Sequence, residues 1–544
     1  MEENSFSVSG QVVDVVSGRI FPGEVHVENG IIKGIQETAN AKSQLIMPGL
    51  VDSHIHIESS MLVPSEFARL ALVHGTVATV SDPHEIANVV GMRGIDYMIE
   101  SGNKAPFYFN FGAPSCVPAT GFETAGAHLG PAEIEELLKR DEIKYLSEMM
   151  NYPGVLNNDA EVMEKIKIAQ KYGKPVDGHA PGLRGEMAQK YIAAGISTDH
   201  ECFTEDEARE KLKMGMKILI REGSAAKNFD ALISLIAEFP QMIMFCSDDK
   251  HPDELIHGHI NQLVKRAIMY DFKPMDVLRA ATLNPVLHYK LNNGLLQTGH
   301  HADFIIVNSL EDFHVKSTFV QGVKVAERGQ TLLESHHTGI INHFDRSYVH
   351  NDELEVKQNG RSIRVIDVIE GQLITNHFTT QPHVENSLVI ADTSRDILKL
   401  TVVNRYNDAP PAVAFVHNFG IKGGAIASTV AHDSHNIICV GSDDISMKRA
   451  INLLIQNKGG ISVVSDMEHD VMPLPVAGLM STDDGYKVAQ DYEKLDALAK
   501  SLGSHLAAPF MTLSFLALLV IPELKLSDKG LFDGAKFEFT DLFV

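Results

Sequence analysis

The chain has 544 residues, 44% hydrophobic and 22% charged, a balance that excludes a disordered polymer and leaves room for roughly two to four domains. A formal net charge of −24, uninterrupted by any Lys/Arg-rich run, would repel a phosphate backbone, so no nucleic-acid partner is expected and a small neutral or cationic substrate fits better. Cys116, Cys202, Cys246 and Cys439 show neither metal-finger nor redox spacing, which excludes a disulfide framework and a thiolate zinc site and points to the cytoplasm.

The opening Met1-Glu2-Glu3-Asn4 lacks the basic and apolar regions of a signal peptide. Short strand-like pieces follow at 11–16, 24–28 and 31–36, separated by the turn signals Ser17-Gly18 and Asn29-Gly30. Strand-like runs then alternate with helical ones, the pattern of βα units around a parallel sheet. Strands are expected at 50–57, 76–80, 107–111, 144–147, 175–177, 196–198, 216–220 and 242–246. Eight strands over roughly 250 residues is the size of an α/β fold of the (β/α)8, TIM-like barrel type. Strand-like pieces return at 302–308 and 315–325, turning at Gln321-Gly322, so both flanks of the barrel are expected to build one small β-sandwich.

Beyond 344 the polar stretch 350–359 leads into a further α/β region. Its clearest elements are strands at 398–403 and 412–416, a helix from an Asp443/Asp444 cap to Gly459, and a strand at 461–465. The Gly420-Ile421-Lys422-Gly423-Gly424 run lacks the Gly-Lys-Ser/Thr of a phosphate loop and reads as a tight turn. The apolar run 507–522 is broken by Pro509, Thr512 and Ser514 and falls short of the ~18–20 residues a membrane span needs, so it reads as a buried core element, with no membrane partner. The expected domains are 1–47 with 294–345 for the sandwich, 48–293 for the barrel, and 346–544 for the C-terminal α/β domain.

The chemistry lies in where histidines and carboxylates fall on the barrel. His54 and His56 end the first strand two positions apart, so the strand's period of two points both imidazoles to one side. Glu148 follows strand four, His179 strand five, His200 strand six and Asp248 strand eight, all at the carboxyl face where barrel enzymes build their sites. With 26 histidines in the chain, any single one is more often a surface or core residue than a ligand. The coincidence of six donors at strand ends is what carries the metal reading. Four imidazoles with two carboxylates suit zinc, manganese, iron or cobalt as a pair of ions. A bridging carboxylate would hold them ~3.5–4 Å apart around a shared hydroxide, the expected nucleophile.

Met47-Pro48-Gly49-Leu50-Val51-Asp52-Ser53-His54-Ile55-His56 resembles the entry to the first barrel strand of the amidohydrolase superfamily, and Ala281-Thr282-Leu283-Asn284-Pro285 resembles its exit. Within that superfamily, His56-Ile57-Glu58-Ser59-Ser60, Ser81-Asp82-Pro83-His84-Glu85-Ile86-Ala87-Asn88 and Ser147-Glu148-Met149-Met150-Asn151 are similar to the adenine deaminases. So are Asp177-Gly178-His179-Ala180-Pro181-Gly182, Thr198-Asp199-His200-Glu201, Ser247-Asp248-Asp249 and, far downstream, Ala431-His432-Asp433-Ser434-His435-Asn436.

The resemblance implies hydrolysis of adenine at C6 to hypoxanthine and ammonia, a purine-salvage reaction, in a cytoplasmic homo-oligomer, a dimer. It implies two divalent metal ions, manganese ahead of iron or zinc. His54 and His56 would hold one, His179 and His200 the other, Glu148 would bridge, and Asp248 would bind metal and handle protons. His84 and Glu85 follow strand two and would face the purine nitrogens, although 82–85 equally reads as a cap of the next helix. Asp249, Lys250 and His251 are similarly placed, with Lys250 expected in solvent. His432 and His435 read either as a lid over the site or as a polar turn between strands. The alternative enzyme with the same barrel would act on a cyclic amide or an N-acetyl substrate.

Overall fold

The computed structural model describes residues 5–544, so the reading made of the first four residues lies outside the described part. Eight parallel strands run in chain order: Leu50–Ile55, Thr76–Ser81, Tyr108–Ala113, Ile143–Met149, Val176–Gly178, Thr198–Asp199, Lys217–Arg221 and Ile243–Cys246. All eight stand where the alternation placed them, with ends displaced by one to a few residues. The first five share one hydrogen-bonded sheet and the last three another. The Ser197 N–H donates to the Val176 carbonyl at 2.9 Å and links the two. The ring closes where the Asp248 N–H donates to the His54 carbonyl at 2.9 Å and the His56 N–H to the Asp248 carbonyl at 3.4 Å.

Leu50–Ile55 and Thr76–Ser81 are buried along their whole length, as barrel strands must be when helices cover one face and side chains fill the other. The approach is tight at the entrance: a Cβ on Gly49 would lie 2.4 Å from both Val77 methyl groups, so only glycine lets the first strand meet the second there.

Strands from both flanks form a single eight-stranded sheet, joined where Leu45–Pro48 pairs antiparallel with Phe304–Val307. Phe6 and Phe319 belong to strands with two others between them, a separation of roughly 14 Å in a flat sheet. Their rings nevertheless stack at 5.6 Å, so the sheet folds over on itself and encloses Val12, Val25, Ile46 and Phe304. The last strand of this sheet is Gln330–Thr331. Past it the chain leaves the sandwich and runs along barrel helices, where the Leu333 carbonyl accepts from Arg69 Nε at 3.1 Å and Ser335 Oγ donates to Glu66 at 2.7 Å. Sandwich strands therefore occupy only part of 294–345, because the following residues find their hydrogen-bond partners on the barrel.

The C-terminal region centres on an eight-stranded mixed sheet in which only Ile363–Val368 and Ala412–His417 are paired parallel. The helix Asp444–Asn457 is capped by the Asp443 side chain and lays Met447, Ala450, Ile451 and Leu454 on the sheet, an i, i+3, i+4, i+7 stripe. Of the 507–522 run, residues 509–521 are buried apart from the half-buried Thr512 and contain the short helix Pro509–Phe515, while Ala507 is exposed. No helix is long and apolar enough to cross a membrane among the described residues. A longer helix, Gly485–Ser501, abuts the barrel: Arg69 donates to its capping residue Asp484 at 2.7 Å, and the Gly485 N–H donates to Glu66 at 2.9 Å.

Phe304 is fully buried, with its ring stacked 4.5 Å from Phe319 at the fold of the flanking sheet. Phe304→Ala is expected to cost ~3–5 kcal/mol of unfolding free energy, read by denaturant titration. A loss near zero would mean that the two flanks do not share one core.

Candidate metal centre

Strand alternation does at the first strand what its period demands. His54 and His56 point the same way, their Nε2 atoms 3.2 Å apart. Glu148, near the end of the fourth strand, stands among four imidazoles. Its Oε1 lies 3.3 Å from His56 Nε2, and its Oε2 lies 2.9 Å from His179 Nδ1, 3.1 Å from His200 Nε2 and 3.9 Å from His54 Nε2. Asp248 Oδ1 sits 3.4 Å from His56 Nε2 and 3.7 Å from His54 Nε2. All six expected residues converge, and all are buried. Asp248 adopts a left-handed backbone (φ 55°), which a short polar side chain tolerates better than most. Its N–H and carbonyl are the groups that close the barrel, so surrounding structure holds that conformation in place.

The electrostatics favour a cation here. Burial pushes the Glu148 carboxyl up, but His179 and hydrogen bonds from His179, His200 and His56 outweigh it and hold the group well below the usual range. Burial likewise opposes ionised Asp248, and Arg221 with His56 prevails. Burial pushes His56 and His200 down, yet hydrogen bonding to the carboxylates leaves both well above the ordinary imidazole value. His54 goes the other way, through burial and then the charge of His200. His54 Nδ1 and His179 Nε2 are buried without any hydrogen-bond partner. His54, Glu148 and His200 offer donor atoms within 4.8 Å of one another, as do His54, His56 and Asp248. The carboxylates hold protons on His56 and His200, which marks a demand for positive charge, and imidazoles that would give up those protons beside ionised carboxylates are a donor set that fits divalent first-row metals.

Three contributors escaped the sequence reading. Arg221, at the end of the seventh strand, is buried and donates through Nη1 to both Glu201 and Asp248, and through Nη2 to Glu201 at 2.8 Å. A charged residue ending an apolar barrel strand was the signal available. Glu201 approaches His200 Nε2 at 3.4 Å and His179 Nδ1 at 3.6 Å. Asp82 accepts from His84 Nδ1 at 3.0 Å and could join a donor set with His56, His84 and Glu148.

The capping role of 82–85 is observed. Asp82 accepts the His84 N–H at 3.1 Å in the first turn of His84–Val90, while the side chains of His84 and Glu85 face inward. The His432-to-His435 turn lies between strands, as one reading had it, and it also reaches the barrel: His432 Nδ1 and His435 Nε2 each hydrogen-bond one oxygen of Glu85. His435 Nδ1 accepts the Ala431 N–H at 3.2 Å, so His435 is the Nε2–H tautomer and neutral, as burial also dictates. Asp433 brings an oxygen to 3.7 Å from His84 Nε2. Lys250, expected in solvent, is buried instead, its ammonium 3.4 Å from Glu254 and its neighbours the barrel residues Glu222, Lys227, His259 and Leu263.

A closed parallel barrel with imidazoles and carboxylates gathered at its carboxyl face defines a class, the hydrolases that use divalent metals. Residues 45–325 match the family model described as the amidohydrolase family, and residues 372–538 match the adenine deaminase C-terminal domain. The chain is 53% identical to an adenine deaminase of Salinibacter ruber over 99% of each chain. It is 54% identical to one of a Sulfurovum species, covering 97% of this chain and 98% of that one, and 51% identical to one of Methanosarcina mazei, covering 98% and 99%. The chain belongs to the adenine deaminase family.

Burial disfavours a charged His432, but Glu85 and then Asp249 overcome it and raise the imidazole from 6.5 to about 9. Its contribution to holding the C-terminal turn is therefore full below pH ~6.5 and disappears as pH rises through about 9. Thermal unfolding of the parent is expected to lose stability across that window more steeply than Glu85→Gln. Parallel profiles would show that the Glu85–His432 pair does not carry the docking.

Proposed function

We propose that the protein hydrolyses adenine to hypoxanthine and ammonia, using the buried cluster around Glu148 as its reaction centre. The observation that carries this reading is the coincidence of end-to-end similarity to adenine deaminases with four imidazoles converging on Glu148 and Asp248. His54, His56, Glu148, His179, His200 and Asp248 would hold a pair of divalent ions. When bound, such ions supply the Lewis acidity that lets water ionise near neutral pH. Four imidazoles with two carboxylates accommodate manganese, iron(II) or zinc, and the family resemblance puts manganese first.

The chain's own groups do the rest. A water oxygen forms a bond to C6 and the bond from C6 to the amino nitrogen breaks. The protons of that water end on ring N1 and on the departing amine, so ammonia leaves and hypoxanthine remains. Asp248, held ionised by Arg221, accepts the first proton and passes it on. His84, kept charged by Asp82, Glu85 and Asp433 against the cost of burial, would donate a hydrogen bond to a purine nitrogen. Both oxygens of Glu85 are taken by His432 and His435, so Glu85 serves by positioning His84 and by seating the turn that excludes water. Four free, buried cysteines support residence in a reducing cytoplasm. The homodimer implied by the family resemblance belongs to the same reading.

Asp248→Asn keeps shape and one oxygen donor but removes charge and basicity. Its kcat is expected to fall by ~10²–10⁴ while fold and most bound metal remain, measured as ammonia release with metal content determined on the same sample. A rate within about threefold of the parent, far short of the general-base contribution, would assign the proton transfer elsewhere. Chelation should abolish ammonia release from adenine and manganese should restore it. Turnover of a dihydropyrimidine or an N-acetyl sugar in place of adenine would replace this reading with the alternative one.

A further inference from the structure

A second polar enclosure adjoins the reaction centre. Between the loops after the seventh and eighth barrel strands and the C-terminal region lies a cavity of about 220 Å³, with Ser224, Asp253, Glu254, Glu370, Tyr492 and Asp496 in its wall. Ser224 ties that wall to the reaction centre: its N–H donates to the Asp249 carbonyl at 2.8 Å, one residue beyond Asp248. Its hydroxyl accepts the His251 N–H at 2.9 Å.

The carboxylates in the wall are not equally answered. Glu254 meets Lys227 and Lys250, each at 3.4 Å, and Glu370 accepts the Ala507 N–H at 3.0 Å. Asp496 gives one oxygen to Lys500 at 2.5 Å, and its Oδ1 has no partner. Asp253 Oδ1 is also without a partner, and among the described residues no basic side chain pairs with Asp253. The hydroxyl of Tyr492, a residue only 1% exposed, is a third unpartnered group. Buried polar atoms are rarely left unpaired, so three in one enclosure point to a ligand. Burial, then the charge of Glu254, pushes Asp253 up to about 6, which a cation alongside would reverse. Two basic residues also line the cavity: His251 brings no competing charge, since burial pushes its imidazole down to about 3, and the Lys227 ammonium is answered by Glu254 at 3.4 Å.

We propose that this cavity binds the ammonium ion released by the reaction, seated between Asp253, Asp496 and the Tyr492 hydroxyl, as its station on the way out. The inference rests on the hydrolysis proposed above. Ammonia leaving C6 takes one proton from solvent and becomes an ion with only N–H donors. The open positions in the cavity are carboxylate oxygens and a phenol oxygen, which accept. A purine would need donors for its ring nitrogens, and these groups offer little of that. The helix Gly485–Ser501 contributes Tyr492 and Asp496, and Glu370, Gly371, Ala507, Ala508 and Thr512 also come from the C-terminal region, so the site is complete only when that region is docked.

The test uses full-length, metal-loaded protein titrated with isotope-labelled ammonium chloride and followed by isotope-edited proton NMR, with sodium chloride as the ionic-strength control. Saturable binding is expected. It should weaken at least about tenfold in Asp253→Asn/Asp496→Asn and about threefold in Tyr492→Phe, as loss of charged and neutral hydrogen bonds predicts. In turnover, ammonium should inhibit the parent more than sodium does, and the difference should vanish in the double variant. If the double variant unfolds, Tyr492→Phe decides alone. Unsaturable binding, unchanged affinity in folded variants, or an equal loss of hypoxanthine affinity would each overturn the proposal. Loss of ammonium binding in the variants of a protein that releases no ammonia from adenine would leave the cation site standing and remove the reaction from which it was inferred.

Discussion

A carboxylate buried among apolar barrel strands is costly unless positive charge surrounds it, and Glu148 meets that condition by drawing four imidazoles to within 2.9 to 3.9 Å. Those imidazoles come from three strand ends, so the arrangement exists only when the barrel is closed. Closure in turn passes through Asp248, whose backbone bonds the first strand while its side chain stands beside His54 and His56. The same residue thus completes both the ring and the cluster.

Around this centre, charges are paired outward in layers. Arg221 joins Glu201 to Asp248. On another side Lys211, fully enclosed, donates to Asp199 at 2.6 Å, Glu207 at 2.7 Å and the Ala180 carbonyl at 2.8 Å, fixing the residues next to His200 and His179. Below the first strand, His259 lies 2.8 Å from Asp52 Oδ2 and from Thr76 Oγ1. Such networks hold donor atoms at fixed positions before any ion arrives, which is the structural content of preorganisation.

The C-terminal region takes part in this order. Its turn answers Glu85, its Asp433 faces His84, and its helix Gly485–Ser501 supplies a wall of the adjoining acidic cavity. A barrel mouth open to bulk water would weaken each of these electrostatic contacts, and the covering region raises their strength by lowering the local dielectric.

Local sequence determined the eight barrel strands, because strands buried on both faces need continuous apolar runs ending in polar residues. It determined the shared direction of His54 and His56, because side chains alternate along a strand. Strand-end position singled out Glu148, His179, His200 and Asp248 in the same way. Tertiary structure alone decided that Glu85 is held by His432 and His435, some 350 positions away, since nothing local to either segment encodes the other. It also decided that Arg221 faces inward, that Lys250 is covered, and that 333–339 follows the barrel and not the sandwich. These depend on which surfaces meet when separate parts of the chain pack, a property of the assembled fold and not of any stretch within it.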